Sequence, residues 1–412
     1  MRRVSRRLAS AFLAGAVLAA CQSAPPAEKQ PTVFFPLPPA APRVQFLAWA
    51  SGSAEVVAEL SALERFTLGG SEEPEQNINK PYGLAVRDGV VYVCDTKNFN
   101  IARLDFKSGR YSVLGDRGPG RLRKPINIVV DPLGYKFVAD PLRAQVVVFG
   151  PDDSFAAAFD LPPPCHPVDV AYHENELFVL DNDDTCQIVV LDRSTGEVLR
   201  TFGAPGQAPG QFHVPNSICV DPAGNLYVSD TLNYRIQKLT RTGEPIWVRG
   251  NPGYRLGQFG RPRGIRAGPD GVIYLVEGAM QLVQMFNGEG EVLMRFGGPG
   301  NVPGGMVLPA TLAIDTTSLP YFEQYVHEDF RVDYLLFVAN QYGSHLINVY
   351  AFGSFPEGYK LDETEIAKLP AVDPGMGIGP VSAPEGEPPD LEGADAPGEE
   401  KAADGRPEDD QG

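Results

Sequence analysis

Few side chains in this 412-residue chain are able to do chemistry, and they are spread along its length. The histidines are His166, His173, His213, His327 and His345. Aspartates recur as Asp95, Asp140, Asp181 and Asp230. Histidine and carboxylate side chains are the ligands that a divalent metal ion needs, provided that several of them converge on one point. A metal site is therefore one hypothesis, and it depends on the elements that position these residues.

Those elements are short strands that repeat along the chain. Residues 215–239 read as three strands separated by an Asp-Pro-Ala-Gly turn and a Thr-Leu-Asn turn, which is the strand–turn–strand pattern. A proline opens each copy, at Pro81, Pro125, Pro167, Pro215, Pro262 and Pro309. A polar residue ends the second strand of each copy, at Asp95, Asp140, Asp181, Asp230, Glu277 and Asn340. Periods of roughly 40–50 residues with several strands indicate propeller blades, so six copies predict an all-β, six-bladed β-propeller.

The sequence pattern of the repeat resembles that of the NHL family. Blade four carries the family pattern nearly intact, from Pro215 to Arg235. Blade one has Pro81-Tyr-Gly-Leu-Ala-Val, followed by Val91-Tyr-Val-Cys-Asp-Thr-Lys-Asn98. Blades five and six depart from the pattern, because Glu277 and Asn340 replace the aspartate. The resemblance covers about residues 43–353 and implies the fold rather than one activity, since such propellers host many activities.

The repeats divide the chain into four parts. These are a lipoprotein signal peptide (1–20), an Ala/Pro-rich tether (21–42), the six-bladed propeller (43–353) and an acidic, proline-rich disordered tail (354–412). The sixth copy stops after its third strand, near Phe352. Residues 43–49 resemble a strand that precedes the first copy. We expect this N-terminal strand to supply the missing outer strand and close the ring, which leaves no open edge.

The N-terminus has the pattern of a lipid-anchored export signal. Four arginines within the first seven residues precede a short apolar stretch, residues 8–20, which is too short to span a membrane by itself. The stretch ends in Leu18-Ala19-Ala20-Cys21, which resembles a bacterial lipobox and implies acylation of Cys21. The alternative is an ordinary signal peptide with an incidental cysteine. Gln22 stands where enterobacterial inner-membrane lipoproteins have an aspartate, so the outer membrane is favoured.

Charge limits the classes of partner. The formal net charge is −17, and residues 375–412 contain eleven acidic and two basic residues. Such a charge argues against nucleic acid and against electrostatic attachment to an anionic bilayer. The composition of the tail is that of a disordered segment. It either solubilises the protein or steers a basic protein partner.

The central channel is where a propeller enzyme would act. Metal-dependent lyases and lactonases that resemble this fold hold their metal there, where the first strands of all blades meet. The candidate channel mouth follows the opening prolines: Asn127, Asp169, Ser217, Arg263 and Thr311. This set has one carboxylate and no repeated ligand, so it suits a small molecule or water better than a metal. We predict no catalytic residue, metal ligand or cofactor.

The repeated aspartates have a structural explanation. Each stands at the end of a second strand, before a polar turn. The carboxylate can accept hydrogen bonds from the backbone N–H groups of that turn. A role that is the same in every blade favours this turn lock over calcium binding. His166 and His213 lie near the first strands of adjacent blades. For them, turn histidines facing solvent are favoured over a shared metal ion.

The cysteines that follow Cys21 fall into two pairs. Cys94 and Cys219 lie inside strands of blades that are not neighbours, and we expect them to be buried and unpaired. Cys165 enters the first strand of blade three and Cys186 enters its third strand. Because first and third strands run parallel, we expect these two at the same face. In an oxidising periplasm they form either a disulfide or two free thiols.

Blade six contains an insertion within residues 316–333 that the repeat does not require. Its aromatic residues form the candidate partner-binding loop: Tyr321, Phe322, Tyr325 and Phe330. Aromatic side chains with a polar edge suit protein interfaces. Alternatively, the loop folds back and caps the channel with its own rings.

Two functions are consistent with these features. The favoured one is a non-catalytic binding or scaffold lipoprotein at the bacterial outer membrane, which binds protein partners in an extracytoplasmic multi-protein complex. The alternative is a metal-dependent hydrolase or lyase with its site in the channel. A convergent ring of histidines or carboxylates would favour the enzyme, and the sequence does not supply an obvious one.

Overall fold

β-strands are the main regular structure of the described chain, which has almost no helix. The computed structural model describes residues 32–37, 40–56 and 75–360. Two strands precede the repeats: β1 (Val33–Phe35) and β2 (Val44–Ala50). The 3₁₀ helices within these ranges are Thr231–Asn233, Leu319–Tyr321 and Glu323–Tyr325. No helix in these ranges is long and apolar enough to cross a bilayer.

Blades one to five are four-stranded antiparallel sheets made of consecutive strands. Blade one comprises β3 (Pro81–Arg87), β4 (Val90–Asp95), β5 (Asn100–Asp105) and β6 (Arg110–Leu114). Blade two comprises β7 (Asn127–Val130), β8 (Lys136–Asp140), β9 (Gln145–Phe149) and β10 (Phe155–Asp160). Blade three comprises β11 (Pro167–His173), β12 (Glu176–Asp181), β13 (Ile188–Asp192) and β14 (Val198–Phe202). Blade four comprises β15 (Pro215–Val220), β16 (Leu226–Asp230), β17 (Arg235–Leu239) and β18 (Pro245–Arg249). Blade five comprises β19 (Pro262–Ala267), β20 (Ile273–Glu277), β21 (Leu282–Phe286) and β22 (Val292–Gly297).

Blade six joins the two ends of the ring. Its own strands are β23 (Pro309–Asp315), β24 (Arg331–Asn340) and β25 (Ile347–Ser354). The sheet continues from β25 to β2 and then to β1. Strands β2 and β25 are antiparallel, with Val44 opposite Phe352 and Ala50 opposite Ile347. The predicted closure by an N-terminal strand is therefore confirmed, and so is the six-bladed fold.

The core consists of apolar clusters between adjacent blades, and its pattern explains the long apolar runs in the sequence. Val146 and Val148 belong to the cluster that blade two shares with blade three. Val147, between them, belongs to the cluster shared with blade one. Successive side chains of a strand point to opposite faces, and in this ring both faces pack on a neighbouring blade. A strand that is buried on both faces needs no polar alternation.

The antiparallel order gives the ring two faces. The proline face is where the first strands begin. It has the connectors between blades (the described parts 51–56 and 75–80 of the first, then 115–126, 161–166, 203–214, 250–261 and 298–308) and the turns between second and third strands (96–99, 141–144, 182–187, 231–234, 278–281, 341–346). The insertion face has the turns between first and second strands (88–89, 131–135, 174–175, 221–225, 268–272, 316–330) and between third and fourth strands (106–109, 150–154, 193–197, 240–244, 287–291). The inner strands therefore enter the channel at the proline face and leave it at the insertion face.

Two predicted boundaries are corrected by the fold. The predicted tether, 21–42, contains β1, whose residues Val33, Phe34 and Phe35 are buried. The predicted disordered tail, 354–412, begins with a packed segment, because Phe355 lies 5.1 Å from Phe330, centroid to centroid. Both segments were predicted from their composition. A prediction from composition does not detect a few buried aromatic residues among many prolines and charged residues. The signal peptide, Cys21 and residues 361–412 lie outside the described residues.

Candidate binding site in the central channel

The second residues after the opening prolines contact one another where the first strands of neighbouring blades meet. These residues are Gly83, Asn127, Asp169, Ser217, Gly264 and Thr311. The two glycines allow neighbouring backbones to meet. A Cβ on Gly83 would lie 2.5 Å from the Cα of Asn127, and one on Gly264 would lie 2.5 Å from the Cα of Thr311. Four of the predicted mouth residues are thus side by side in a buried ring, and the fifth, Arg263, lies one residue nearer the proline face.

Asp169 joins three blades inside this ring. Its carboxylate accepts hydrogen bonds from the Ser217 hydroxyl at 2.5 Å and the Ile218 N–H at 2.9 Å. It also accepts from Arg266 at 3.2 Å and from the Val170 N–H at 2.8 Å. Ser217 in turn accepts from Arg266 at 2.9 Å. The hydrogen-bonding groups of the carboxylate and the hydroxyl all have partners in neighbouring blades. The pair therefore has a structural role and is not a nucleophile with its base.

The proline end of the channel holds three polar residues that occupy one repeat position, directly after the opening proline. They are Tyr82, Asn216 and Arg263. Asn216 donates to the Tyr82 hydroxyl at 2.9 Å, which links opposite blades of the ring. The Arg263 guanidinium lies over the Tyr82 ring, 5.0 Å from its centroid. Arg263 also donates to the Pro309 carbonyl at 3.2 Å and to Gln341 at 3.1 Å.

This end of the channel is electrostatically positive. Burial by itself would raise the pKa of Tyr82, but the charge of Arg263 and the hydrogen bonds from Asn216 and Arg263 outweigh it and lower the pKa. The pKa of Arg261 is lowered by burial and then by the nearby charge of Arg263. Both shifts have the sign expected beside the charge of Arg263, and Glu277 partly offsets the shift of Arg261.

Several polar atoms at this end of the channel have no hydrogen-bond partner in the described part of the chain. They are Arg263 Nε, Thr311 Oγ1 and Asn127 Oδ1. The parent residues are almost fully buried, with Arg263 only 3% exposed. Most buried polar groups in proteins have a hydrogen-bond partner. Three buried polar atoms without one at the same place therefore point to a ligand site.

A cavity of ≈ 490 Å³ lies at the insertion end of the channel. Its charged groups are already paired. Arg87 contacts the Asp131 carbonyl at 3.3 Å and the Asp88 carboxylate at 3.2 Å. Asp315 accepts from the Thr317 N–H at 2.9 Å. Because these groups have partners, this cavity is the weaker candidate for recognition of a polar ligand.

The residues that end the second strands fix the geometry of the mouth. Asp95 accepts hydrogen bonds from the backbone N–H groups of Lys97 and Asn98 in its own turn, both at 3.0 Å. It also accepts from the Asn79 N–H at 2.7 Å and the Lys80 N–H at 3.2 Å, just before Pro81. Similar bonds tie Asp140 to Lys124 and Glu277 to Arg261. These side chains are turn locks, as predicted, and they also hold the residue before each opening proline.

The histidines do not form a metal centre. His166 and His213 are both exposed, and His166 Nδ1 lies 2.9 Å from the Asp183 carboxylate. Within residues 32–37, 40–56 and 75–360, no three His, Cys, Asp or Glu residues lie close enough together to hold a metal ion. The described side chains therefore give the metal hypothesis no support.

Cys165 and Cys186 both lie on the proline face, in the connector 161–166 and the turn 182–187, but no disulfide joins them. Cys165 packs in the cluster between blades two and three, whereas Cys186 packs in the cluster between blades three and four. Both are buried free thiols, as are Cys94 and Cys219. The two side chains point to opposite sides of blade three, which is why both thiols are free. Cys186 itself has a positive φ of 42°.

The insertion of blade six packs on the ring instead of presenting four aromatic side chains. Phe322 and Phe330 are buried in the cluster between blades six and one. Phe322 lies 5.0 Å from Phe106 of blade one, centroid to centroid. Tyr321 is partly buried against this cluster, and Tyr325 is 48% exposed. Of the four candidate partner-binding residues, Tyr325 is therefore the one that is exposed enough to contact a partner. The buried rings stabilise the junction of blades six and one and do not cap the channel.

Comparison with known proteins supports the fold. The sequence model of the NHL repeat matches residues 212–239, which contain β15, β16 and β17. The protein is a six-bladed propeller with an NHL repeat. The similarity to the NHL family predicted from the sequence is thus confirmed in blade four.

Solved structures that are similar to this NHL propeller differ in what they do. A protein of unknown function from Bacteroides thetaiotaomicron is 17% identical, with a TM-score of 0.52, and the match covers 75% of each chain. Virginiamycin B lyase from Staphylococcus aureus is 16% identical, with a TM-score of 0.47 over 70% of this chain and 88% of that one. Regucalcin, a calcium-binding protein from Agrobacterium tumefaciens, is 16% identical, with a TM-score of 0.48 over 69% and 95%. Similarity at this level concerns the fold, and function has to be argued from the site.

Sequence reasoning missed Tyr82, Asn216 and Arg261 as site residues. Tyr82 and Asn216 share the repeat position of Arg263, and Arg261 directly precedes an opening proline. Comparing the residue after each proline across the six blades would have found the first two, since the other blades have Ile126, Val168 and Ala310 there. Polar residues at a position that is otherwise apolar are the signal.

Proposed function

We propose that this propeller is a non-catalytic binding protein whose proline face docks an acidic protein partner. In the same proposal, Cys21 is acylated and holds the protein at the bacterial outer membrane, within an extracytoplasmic assembly. The observation that carries the docking proposal is the unequal distribution of charge and apolar side chains between the two faces. The anchor is supported by the sequence around Cys21, which lies outside the described residues.

Charge is separated between the two faces of the ring. The described connectors and turns of the proline face have nine basic residues: Lys80, Lys97, Arg117, Arg121, Arg123, Lys124, Arg143, Arg255 and Arg261. They have five acidic residues: Glu55, Glu75, Asp116, Asp183 and Asp184. The turns of the insertion face have three basic and fourteen acidic residues. On a protein with a net charge of −17, a positive face attracts an acidic partner and orients it during encounter.

Apolar side chains are also concentrated on the proline face. Its large exposed hydrophobic residues are Phe99, Leu142, Val214, Leu232, Tyr254, Leu256, Val302 and Tyr342. The insertion face exposes Leu133, Tyr135 and Tyr325. Exposed apolar side chains among polar ones mark interaction surfaces. Aromatic and arginine residues are enriched in protein interfaces. The proline face combines both properties.

The second candidate function, a metal-dependent hydrolase or lyase, has no specific observation in its favour. The Asp169–Ser217 pair is satisfied by its neighbours. In the part of the chain that the structure describes, no His, Cys, Asp and Glu side chains converge as metal ligands. The geometry therefore favours binding over catalysis.

Co-purification with matched variants tests the docking surface. The full chain would be captured from detergent-solubilised membranes of the native host, and co-purifying proteins would be identified by mass spectrometry. Leu232→Ser with Tyr342→Ser alters the proline face. Leu199→Ser with Leu293→Ser is the control, because these residues are similarly exposed on outer strands.

We expect an acidic partner to be captured by wild type and by the control, and to be lost with the proline-face variant. Capture should also weaken as salt rises from 0.05 to about 0.3 M, since the Debye length falls below about 10 Å in this range. Equal capture by both double variants would contradict the proposal. For the anchor, Cys21→Ala should release the protein from membranes, and continued retention would contradict acylation.

A further inference from the structure

We propose that the proline end of the channel is a binding site for the oxyanion, a carboxylate or a phosphate, of a small ligand. The site is formed by Arg263, Tyr82, Arg261 and Thr311. It lies inside the channel mouth, whereas the docking surface proposed above is on the exposed turns and connectors. The proposal therefore stands independently of a protein partner.

Arg263 is a buried cation without an anion. It is 3% exposed, and the oxygens that accept its hydrogen bonds, those of Pro309, Gln341 and Tyr82, belong to neutral groups. In the described ranges it has no ion pair, unlike Arg235 with Asp230 at 2.8 Å or Arg266 with Asp169 at 3.2 Å. Buried charges are normally paired, because an isolated one is costly. Arg263 Nε also has no acceptor, so a donor is available for an external oxyanion.

Tyr82 adds a second donor and explains how the cation is tolerated. Its ring lies under the Arg263 guanidinium, and such cation–π contacts offset part of the cost of burial. The phenol oxygen accepts a hydrogen bond from Asn216 at 2.9 Å. Because that oxygen is already an acceptor, the hydroxyl hydrogen is available to donate to a ligand.

Two further residues complete the site. Arg261 is exposed and lies close enough to Arg263 for the two charges to affect each other. Thr311 Oγ1 is buried without a partner, and it adjoins Gly264, the residue after Arg263. A guanidinium pair with hydroxyl donors is the chemistry that binds carboxylate and phosphate oxygens. A neutral ligand would leave both charges unmatched.

Isothermal titration calorimetry of the full chain with citrate and with inorganic phosphate tests the site. Arg263→Gln removes the charge but keeps a side chain able to bond the Pro309 carbonyl. Tyr82→Phe removes one hydroxyl and keeps the ring. Arg295→Gln is the control, because Arg295 is exposed on the outer strand β22 of the same blade.

We expect wild type and Arg295→Gln to bind at least one of the two anions with equal affinity. Arg263→Gln should weaken binding at least tenfold, and Tyr82→Phe several-fold, as for loss of charge-assisted and neutral hydrogen bonds. Tighter binding of citrate would assign the site to carboxylates, and tighter binding of phosphate would assign it to phosphate esters. Failure of wild type to bind either anion would overturn the proposal, as would unchanged affinity in both site variants.

Ultraviolet titration of tyrosine ionisation locates the bound anion. The difference between wild type and Tyr82→Phe isolates the transition of Tyr82, whose pKa is lowered by its neighbours. An anion bound beside the phenol should move this transition to higher pH, since it opposes formation of the phenolate. An unmoved transition at saturating anion would place binding elsewhere and overturn the proposal. This readout needs no Arg263 variant, so it remains decisive if Arg263→Gln fails to fold.

Discussion

Replacing Asp230 by alanine tests whether the repeated carboxylates are structural locks. Asp230 ends β16 and is fully buried. Its carboxylate accepts hydrogen bonds from the His213 N–H at 2.7 Å, the Asn233 amide at 2.8 Å and Arg235 Nε at 2.8 Å. Removing it breaks a buried ion pair and releases both the turn and the connector of blade four.

The size of the effect follows from what Arg235 keeps. Breaking a buried pair by removing one partner costs roughly 3–5 kcal/mol, because the other charge is left buried. Arg235 still donates to the carbonyls of Gln207, Ala208 and Gln211, so we expect the low end, about 3 kcal/mol. For a ring of about 300 residues, that loss corresponds to a fall in Tm of about 4–6 °C.

Differential scanning calorimetry of Asp230→Ala measures this fall. The double variant Asp230→Ala/Arg235→Leu should recover part of it, because an apolar pair no longer contains an unpaired charge. Addition of calcium or a chelator should leave the wild-type Tm unchanged. A loss of less than 1 °C in Asp230→Ala, or a calcium-dependent Tm, would refute the turn-lock interpretation.

Other expected outcomes concern stability and the thiols. Phe322→Ala should cost about 3–5 kcal/mol, as for a buried aromatic, and Tyr325→Ala less than about 0.5 kcal/mol; equal losses in chemical denaturation would contradict the packing of the insertion. Deleting residues 44–50 should prevent folding, as judged by circular dichroism, because β2 closes the ring; a folded deletion variant would disprove closure. The four described cysteines should resist iodoacetamide in the native protein and all react in denaturant without reductant; two unreactive thiols in denaturant would indicate a disulfide. Hydrogen bonds from Ser194 and Thr195 lower the pKa of Asp192 to about 2, so its stabilising effect is present above its ordinary pKa near 3.8 and is lost as pH falls toward 2; an Asp192→Asn variant with the same acid unfolding curve as wild type would contradict it.

Repetition explains why the fold was predictable from sequence. The opening prolines and the polar residues that end the second strands appear in six copies, so an error in one blade is corrected by the others. Strand runs such as residues 146–149 are apolar throughout because both faces of each blade are buried. The position of β2 followed from the same count, since blade six lacks its own fourth strand.

Features that occur once were less predictable. Phe322 and Tyr325 are three residues apart in one loop, yet one is buried and the other exposed. Their environments depend on Phe106 and the rest of the blade junction, which the local sequence does not specify. Arg263 was identified as a mouth residue, but the absence of a counter-ion among the described residues depends on contacts from blades one, four and six. Such long-range contacts come only from the folded chain.

Site-specific photo-crosslinking in the native cell envelope tests the central claim most directly. A benzophenone side chain would replace Leu232 or Tyr342 on the proline face, and Leu199 or Leu293 on outer strands as controls. Each position is exposed, so the probe should not disturb folding. We predict that proline-face positions crosslink to an acidic protein and that the outer-strand positions do not. Equal crosslinking from the outer strands, or no crosslinking from the proline face, would contradict the docking proposal.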